Sequence, residues 1–490
     1  MSVLDSKLHV FMASSEIDPF AKSGGLGDVL GSLPDALQRI GLRVSLVMPA
    51  YRSVLQGDYT IEDTGVRLTV PVSGHREEGI LLKTKTKSDI PLYLIRADRY
   101  FDRDQLYGTP DNDYADNAER FTFFSRAVLE VVKLDPPQIL HAHDWQSALS
   151  VVFLKTQSYL YPQISSTKTV FTIHNLGYQG VFWYQDWHLL NLDSIYFTSR
   201  YLEFYNKINF LKGGTVFADA ISTVSPTYAE EIKTKEYGFG LEGVFQEQSE
   251  KLTGILNGAD YDVWNPETDT LIAEKYSLNN PGGKKACKSE LQRKFHLPEN
   301  PDIPVLGIVS RLAVQKGFDL LEKSCNKLIS RNLQFILLGS GDSRYQKFFS
   351  RMAKKYPDKV SVKIDFNETL AHQVIAGSDM FLMPSRYEPS GLTQIYSLRY
   401  GTVPLVRATG GLKDTVEEFN SATGQGTGFV FGDYKAENLL ATVDRALDCF
   451  LQHRGQWNII MKNGMRADLS WNCSAQAYRD LYLNTIRNNV

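Results

Sequence analysis

Only four of the 490 residues are cysteine, Cys287, Cys325, Cys449 and Cys473, and none of them forms a CxxC pair. Neither a disulfide framework nor a zinc ribbon is signalled, and a reducing cytoplasm is the expected compartment. Long apolar runs are missing too: nothing approaches the roughly 18 residues of a membrane-spanning helix. The opening "MSVLDSKLHVFMASSE" has no basic stretch followed by an apolar core, so neither export nor membrane insertion is expected. A formal charge of −3 is small for this length and gives no electrostatic footprint for a nucleic-acid partner. Low-complexity tracts and repeats of about 20 to 50 residues are absent, which excludes solenoids and propellers.

What is present is ordinary globular composition, 43% hydrophobic and 22% charged. The length exceeds what one core serves, so two domains of roughly 200 to 250 residues with a cleft between them are expected. Aromatic residues make up 12% of the chain, a supply of flat faces able to stack on sugars or bases, although most belong to cores. Short apolar runs alternate with helix-period segments, the pattern of parallel sheets covered by helices. "LHVFMAS", "VSLVMPA", "QILHAHD", "TVFTIHN" and "AISTVSP" read as strands of a first α/β domain, each with polar or glycine residues at its C-terminal end, where open α/β sheets bind ligands. Residues 59–97 read instead as hairpin strands inserted in that domain. Turn residues Asn257, Gly258, Asn265 and Pro266 interrupt the periodicity, placing one domain at 1–260 and the next at 261–469. "VLGIVSRL", "QFILLGSGD", "VSVKIDF", "DMFLMPS" and "TVPLVRA" are the strands of this second, Rossmann-like domain. The last segment, about 470–490, is amphipathic and able to pack back on the first domain.

The chemistry gathers in the loops after these strands. In "PFAKSGGLGDVLGSLPDAL", Lys22 precedes Gly24, Gly25 and Gly27 where a strand hands over to a helix. Backbone N–H groups and a helix N-terminus attract an anion there, and an ammonium strengthens the site. Neither GxGxxG nor the Walker order is present, so this is a phosphate site of another kind. In "GIVSRLAVQKGFDLL", Arg311 and Lys316 share one loop and could neutralise a diphosphate. "PSRYEPSGLTQIYSLRYG" sets Glu388 at a strand end, with Gly391 to Thr393 opening a helix. His174 and Asn175 follow "TVFT" at another strand end. The two histidines of "HAHDW" are expected to project from opposite faces of their strand, which would keep His141 and His143 from sharing a metal with Asp144.

Together "KSGGLGDV", "HAHDW", "TIHN", "GIVSRLAVQKG", "SRYEPSGLTQ" and "ATGGLKDTV" resemble, in order and over nearly the whole chain, the bacterial glycogen synthases and plant starch synthases. The resemblance implies an α/β fold of two facing Rossmann-like domains, the GT-B glycosyltransferase architecture, with the C-terminal helix crossing back to the first. It implies retaining transfer of an α-glucosyl unit from ADP-glucose to the non-reducing 4-hydroxyl of an α-1,4-glucan (glycogen, starch or malto-oligosaccharide), with no cofactor and no metal. It makes Glu388, His174, Lys22, Arg311 and Lys316 the catalytic candidates. Lys22, Gly24, Gly25, Asp28, Asn257, Arg311, Lys316, Phe366, Ser390, Gly391, Leu392, Thr393 and Tyr396 would bind the donor. Tyr107, Asp144, Trp145 and Asn175 would face the glucan acceptor. Two positions depart from the pattern: Ser390 stands where many relatives have cysteine, and Tyr396 where the wider group often has a second glutamate. UDP-glucose as donor and a catalytically silent glucan-binding protein are the alternatives, and a plastid stroma is the second compartment if the chain is a mature form.

Overall fold

The computed structural model describes residues 7–109, 112–365 and 367–487. The chain divides into two compact units, one of residues 1–224, 229–257 and 471–490, the other of residues 225–228 and 258–470.

The first unit is built on β1 (His9–Ala13), β2 (Arg43–Pro49), β3 (Glu62–Val72), β4 (His75–Lys85), β5 (Pro91–Arg96), β6 (Ile139–His143) and β7 (Lys168–Ile173). The short β8 (Val181–Trp183), β9 (Glu203–Phe204) and β10 (Lys207–Asn209) form a separate three-stranded sheet, and β11 (Ala220–Thr223) and β12 (Leu252–Gly254) complete the main one. Strand order in the main sheet is β12-β11-β7-β6-β1-β2-β5-β4-β3. All five residues of β1 and of β6 are buried, as expected of parallel strands covered on both faces. The stretch read as an inserted hairpin is not separate from this sheet. β4 pairs antiparallel with β3 on one side and with β5 on the other, but β5 also runs parallel beside β2, so the three strands extend the sheet at one edge.

The second unit carries β13 (Val305–Val309), β14 (Gln334–Leu338), β15 (Val360–Lys363), β16 (Met380–Met383), β17 (Val403–Arg407) and β18 (Phe429–Phe431), all parallel, in the order β15-β14-β13-β16-β17-β18. A representative cover is the helix Phe318–Ile329, whose buried Phe318, Leu321, Cys325, Leu328 and Ile329 form a single stripe at helical spacing.

Two topological consequences position the chemistry. From β1 the chain goes to β2 on one side and later to β6 on the other; from β13 it goes to β14 on one side and to β16 on the other. The loops leaving β1 and β6, and those leaving β13 and β16, therefore diverge and leave a crevice at each switch point. The C-terminal helix Trp471–Arg487 packs on the helix Gly25–Arg39 and on β7, within the first unit. Trp471, Ala475, Tyr478 and Tyr482 make its buried stripe.

Candidate active site

At the first switch point, β1 exits into Ser14, Ser15 and Glu16, and the chain reaches the helix Gly25–Arg39 through Lys22, Ser23 and Gly24. Glu16 is buried and organises this loop. Its carboxylate accepts the Ser23 amide at 2.6 Å, the Ser23 hydroxyl at 2.7 Å, the Gly24 amide at 3.3 Å and the Tyr107 hydroxyl at 2.6 Å. Two of the amides expected to meet an external anion are thus turned to an internal one. Lys22 pairs with Asp28 at 2.5 Å, both side chains a little over a quarter exposed. The glycines divide in purpose: a Cβ on Gly24 or Gly25 would meet nothing within 4 Å among the described residues, whereas one on Gly27 would lie 3.0 Å from Lys22 Cβ and Cγ. Gly27 admits the lysine stem, and Gly24 and Gly25 leave open space beside it.

β6 and β7 deliver the second group. Asp144, the first residue of the helix Asp144–Thr156, has a left-handed backbone (φ 55°), a conformation aspartate tolerates better than most residues. Its buried carboxylate accepts the His174 amide at 2.7 Å and also the Asn175 amide. Burial raises the Asp144 carboxyl to about 7 against the lowering effect of those amides. Burial lowers the His174 imidazole to about 3 and holds His141 and His143 well below the ordinary range. All three rings are therefore neutral at physiological pH.

The expectation that His141 and His143 point to opposite faces is wrong. Strand side chains alternate with a period of two, so residues two apart share a face, and these ring centroids lie 4.0 Å apart. His143 Nδ1 in turn lies 3.0 Å from His174 Nε2. Among the described residues no cluster of three His, Cys, Asp or Glu side chains has the arrangement of a metal site.

Trp145 is wedged among Phe121, Phe182 and Gly180, where a Cβ would come within 2.5 Å of the indole. Tyr107 reaches Glu16 rather than Trp145 with its hydroxyl. Asn175 uses its side-chain oxygen to accept the Gly177 amide. Asn257, the last residue of its segment, is buried, with Oδ1 unpartnered among the described residues.

In the second unit, Arg311 and Lys316 lie on the loop after β13, and Glu388 lies five residues beyond β16 rather than at the strand end itself. Lys316 Nζ donates to both Glu388 oxygens, at 2.8 and 2.7 Å, and Ser385 Oγ donates to Oε2 at 2.9 Å. Glu388 is only 5% exposed and Lys316 23%, so this ion pair is part-desolvated and held stiffly. Arg311 is exposed and its guanidinium donates to Gln315. Glycines let these loops touch backbone to backbone. Gly317 (φ 82°) approaches Pro384 and Gly410 (φ 45°) approaches the Glu388 carbonyl, and a Cβ at either would lie 2.1 or 1.9 Å from the carbonyl oxygen.

Gly391 (φ 65°) and Leu392 precede the short helix Thr393–Arg399. Here Gln394, fully buried, donates Nε2 to the carbonyls of Ser390 and Gly391, each at 3.0 Å, and to Thr415 Oγ1 at 3.2 Å. Ser390 Oγ donates to Gly391 O, and Thr393 Oγ1 lies against Met383 Sδ. Tyr396 is buried, one ring face stacked on Trp264 at 4.1 Å. Phe366 lies outside the described residues. Glu16, Ser385 and Gln394 are the residues that reading the sequence missed: each acts through a contact that no local pattern encodes, and Glu16 is signalled only by an acidic residue in the strand exit "ASSE" before the glycine loop.

Residues 9–247 match the starch synthase catalytic domain family, and residues 289–459 match the glycosyl transferases group 1 family. The architecture, two Rossmann-like units each with a crevice at the switch point of its sheet, is that of a GT-B glycosyltransferase. Glycogen synthase of Koribacter versatilis (strain Ellin345) is 49% identical over 97% of this chain and 98% of its own, and that of Clostridium novyi (strain NT) is 44% identical over 98% and 99%. The catalytic domain of starch synthase IV from Arabidopsis thaliana, solved bound to ADP and acarbose, superposes with a TM-score of 0.90 at 31% identity, covering 98% of this chain and all of that one. The chain belongs to the glycogen and starch synthase family.

Proposed function

We propose that this protein takes ADP-glucose as donor and adds its glucosyl unit, with retained configuration, to the non-reducing 4-hydroxyl of an α-1,4-glucan, releasing ADP. The observation that carries the reading is the Lys316–Glu388 pair at the second switch point, with Arg311 in the same loop. As the bond from C1 to the diphosphate breaks, negative charge grows on the leaving group and positive charge on the sugar. Arg311, Lys316 and Lys22 answer the first and Glu388 the second; a fixed donor of this kind commonly contributes about 2.7 to 4 kcal/mol to the barrier. An arriving diphosphate competes for the Lys316 ammonium and releases the Glu388 carboxylate toward the sugar. The new bond from C1 to the acceptor oxygen forms on the face the diphosphate leaves, and a phosphate oxygen takes the acceptor's proton. His174 lies beside the transferred sugar, the backbone around Gly391, Leu392 and Thr393 meets the distal phosphate, and Tyr107, Asp144, Trp145 and Asn175 face the acceptor. A cytoplasmic location accords with four free cysteine thiols and with the lack, among the described residues, of a helix long and apolar enough to cross a membrane.

The test is incubation of the purified protein with a short malto-oligosaccharide and either ADP-glucose or UDP-glucose, without added metal, following nucleotide release and chain length. Longer α-1,4 chains from ADP-glucose are expected. Extension from UDP-glucose alone would overturn the donor assignment, and glucan binding without nucleotide release from either would make the protein a silent binder.

A further inference from the structure

Three histidines form a continuous line in the first unit. His141 is engaged at both nitrogens: Nδ1 lies 2.8 Å from the Tyr482 hydroxyl on the C-terminal helix, and Nε2 lies 2.6 Å from Thr172 Oγ1. Its ring is thereby fixed in plane, and it lies 4.0 Å from the His143 ring with a 35° tilt. His143 has no freedom to turn past it. His143 Nδ1 meets His174 Nε2 at 3.0 Å, while His143 Nε2 is buried with no hydrogen-bond partner among the described residues.

That unpartnered nitrogen decides where the protons are. A neutral imidazole carries one N–H and one lone pair, so exactly one of the two nitrogens facing each other across the 3.0 Å contact must donate. If His143 accepted, its own proton would sit on Nε2 as a buried, unsatisfied N–H, the costlier and rarer kind of orphan. With the proton on Nδ1, His143 leaves only a lone pair unmet and donates to His174 Nε2. His174 must then hold its own proton on Nδ1.

We infer that His143 is a positioning residue that fixes the tautomer and ring orientation of His174, with His141 and Tyr482 as its backing. The inference rests on the proposed place of His174 beside the transferred sugar. It gives "HAHDW" a division of labour: the first histidine ties the strand to the C-terminal helix, the second sets the imidazole on the neighbouring strand, and the aspartate holds that residue's backbone amide. Burial supports the scheme by keeping His143 and His174 neutral, which is the condition for a tautomer to be defined.

The first measurement is ¹⁵N NMR of the histidine-labelled protein, with the His174 signals assigned by difference against His174→Asn. Protonation of His174 at Nδ1 is expected; protonation at Nε2 would overturn the inference whatever the activity. The second compares His143→Leu, which fills the space without a donor, with His143→Asn, whose amide N–H can stand near the Nδ1 position. The leucine variant should lose about tenfold or more in kcat, the scale on which orienting partners act, with the KM for donor and for glucan changed less than about twofold. The asparagine variant should recover most of that loss. Equal losses in the two, at matched melting temperatures, would reduce His143 to a packing residue. If the wild-type protein transfers glucose from neither nucleotide sugar, the proposed function fails and the tautomer measurement alone decides the inference.

Discussion

Lys22 is held by an ion pair with Asp28 that stays partly open to solvent, and such pairs add only about 0 to 1 kcal/mol to stability. Its removal therefore separates catalysis from folding. Lys22→Ala should keep the melting temperature within a few degrees while lowering kcat by about a hundredfold, the scale of one lost electrostatic donor. Unchanged turnover at saturating substrate would remove Lys22 from the catalytic set. Asp144 gives the opposite kind of experiment, one read in stability. Its carboxyl is raised to about 7 by burial, above its unfolded value of 3.8. The folded state thus binds the proton more tightly. The stability this gives is fully present below the unfolded value and is lost as pH rises through about 7. Asp144→Asn removes that dependence, so wild type should lose melting temperature relative to the variant between about pH 5 and about pH 8. Parallel curves for the two proteins would refute the assignment. The residues read from the sequence were those whose charge or ring stands out in a loop that follows a strand, Lys22, His174, Arg311, Lys316 and Glu388. Glu16 and Gln394 escaped because their importance lies in which amides and carbonyls they meet, and those partners are set by folding, not by spacing.

The loops that carry these residues are joined where side chains are absent. Gly410 has a left-handed backbone and its missing Cβ leaves room for the Glu388 carbonyl, which also accepts the Gly411 amide at 3.1 Å. Gly410→Ala should destabilise by more than about 1 kcal/mol, because both the strained conformation and the carbonyl contact oppose a methyl group. Turnover should fall with it, since the Glu388 loop must move to make room. Gly24→Ala is the control for folding: its φ of −169° suits any residue and its Cβ meets nothing within 4 Å among the described residues, so the melting temperature should not change. Equal melting temperatures for all three proteins would show that the loop contact is soft. At this scale the strands were legible because each parallel strand is a short apolar run ended by polar residues. What was not legible was pairing. The same apolar alternation suits a free hairpin or the edge of a larger sheet, and only the parallel register of β5 on β2 decides between them. The faces of His141 and His143 were a misreading of a period the sequence does contain.

Across the whole molecule, chain order and structural unit do not coincide. The first unit is closed by the last helix, whose Tyr478 and Tyr482 are fully buried in it and whose Tyr482 hydroxyl meets His141 on β6. Amphipathic spacing in "SAQAYRDLYLNTIRNN" made a packed helix legible. Spacing alone names no partner, because one apolar stripe fits many surfaces; the resemblance to the glycogen and starch synthases put the helix on the first domain, and the hydroxyl contact to a strand more than 300 residues earlier supplies the specificity. A graded consequence follows. Tyr482→Phe keeps the ring and the stripe but leaves His141 Nδ1 unmet in the interior, which should cost about 1 to 3 kcal/mol. Ending the chain after Ser470 removes the stripe as well and uncovers β7 and the helix Gly25–Arg39. Hydrogen exchange distinguishes this from a general loss of fold. In the truncated chain, amides of β1, β6 and β7 should lose protection, while those of β13, β14, β16 and β17, in a unit that contains no part of the helix, should keep theirs. Equal loss in both sets, or none in either, would mean that the helix does not belong energetically to the unit it covers.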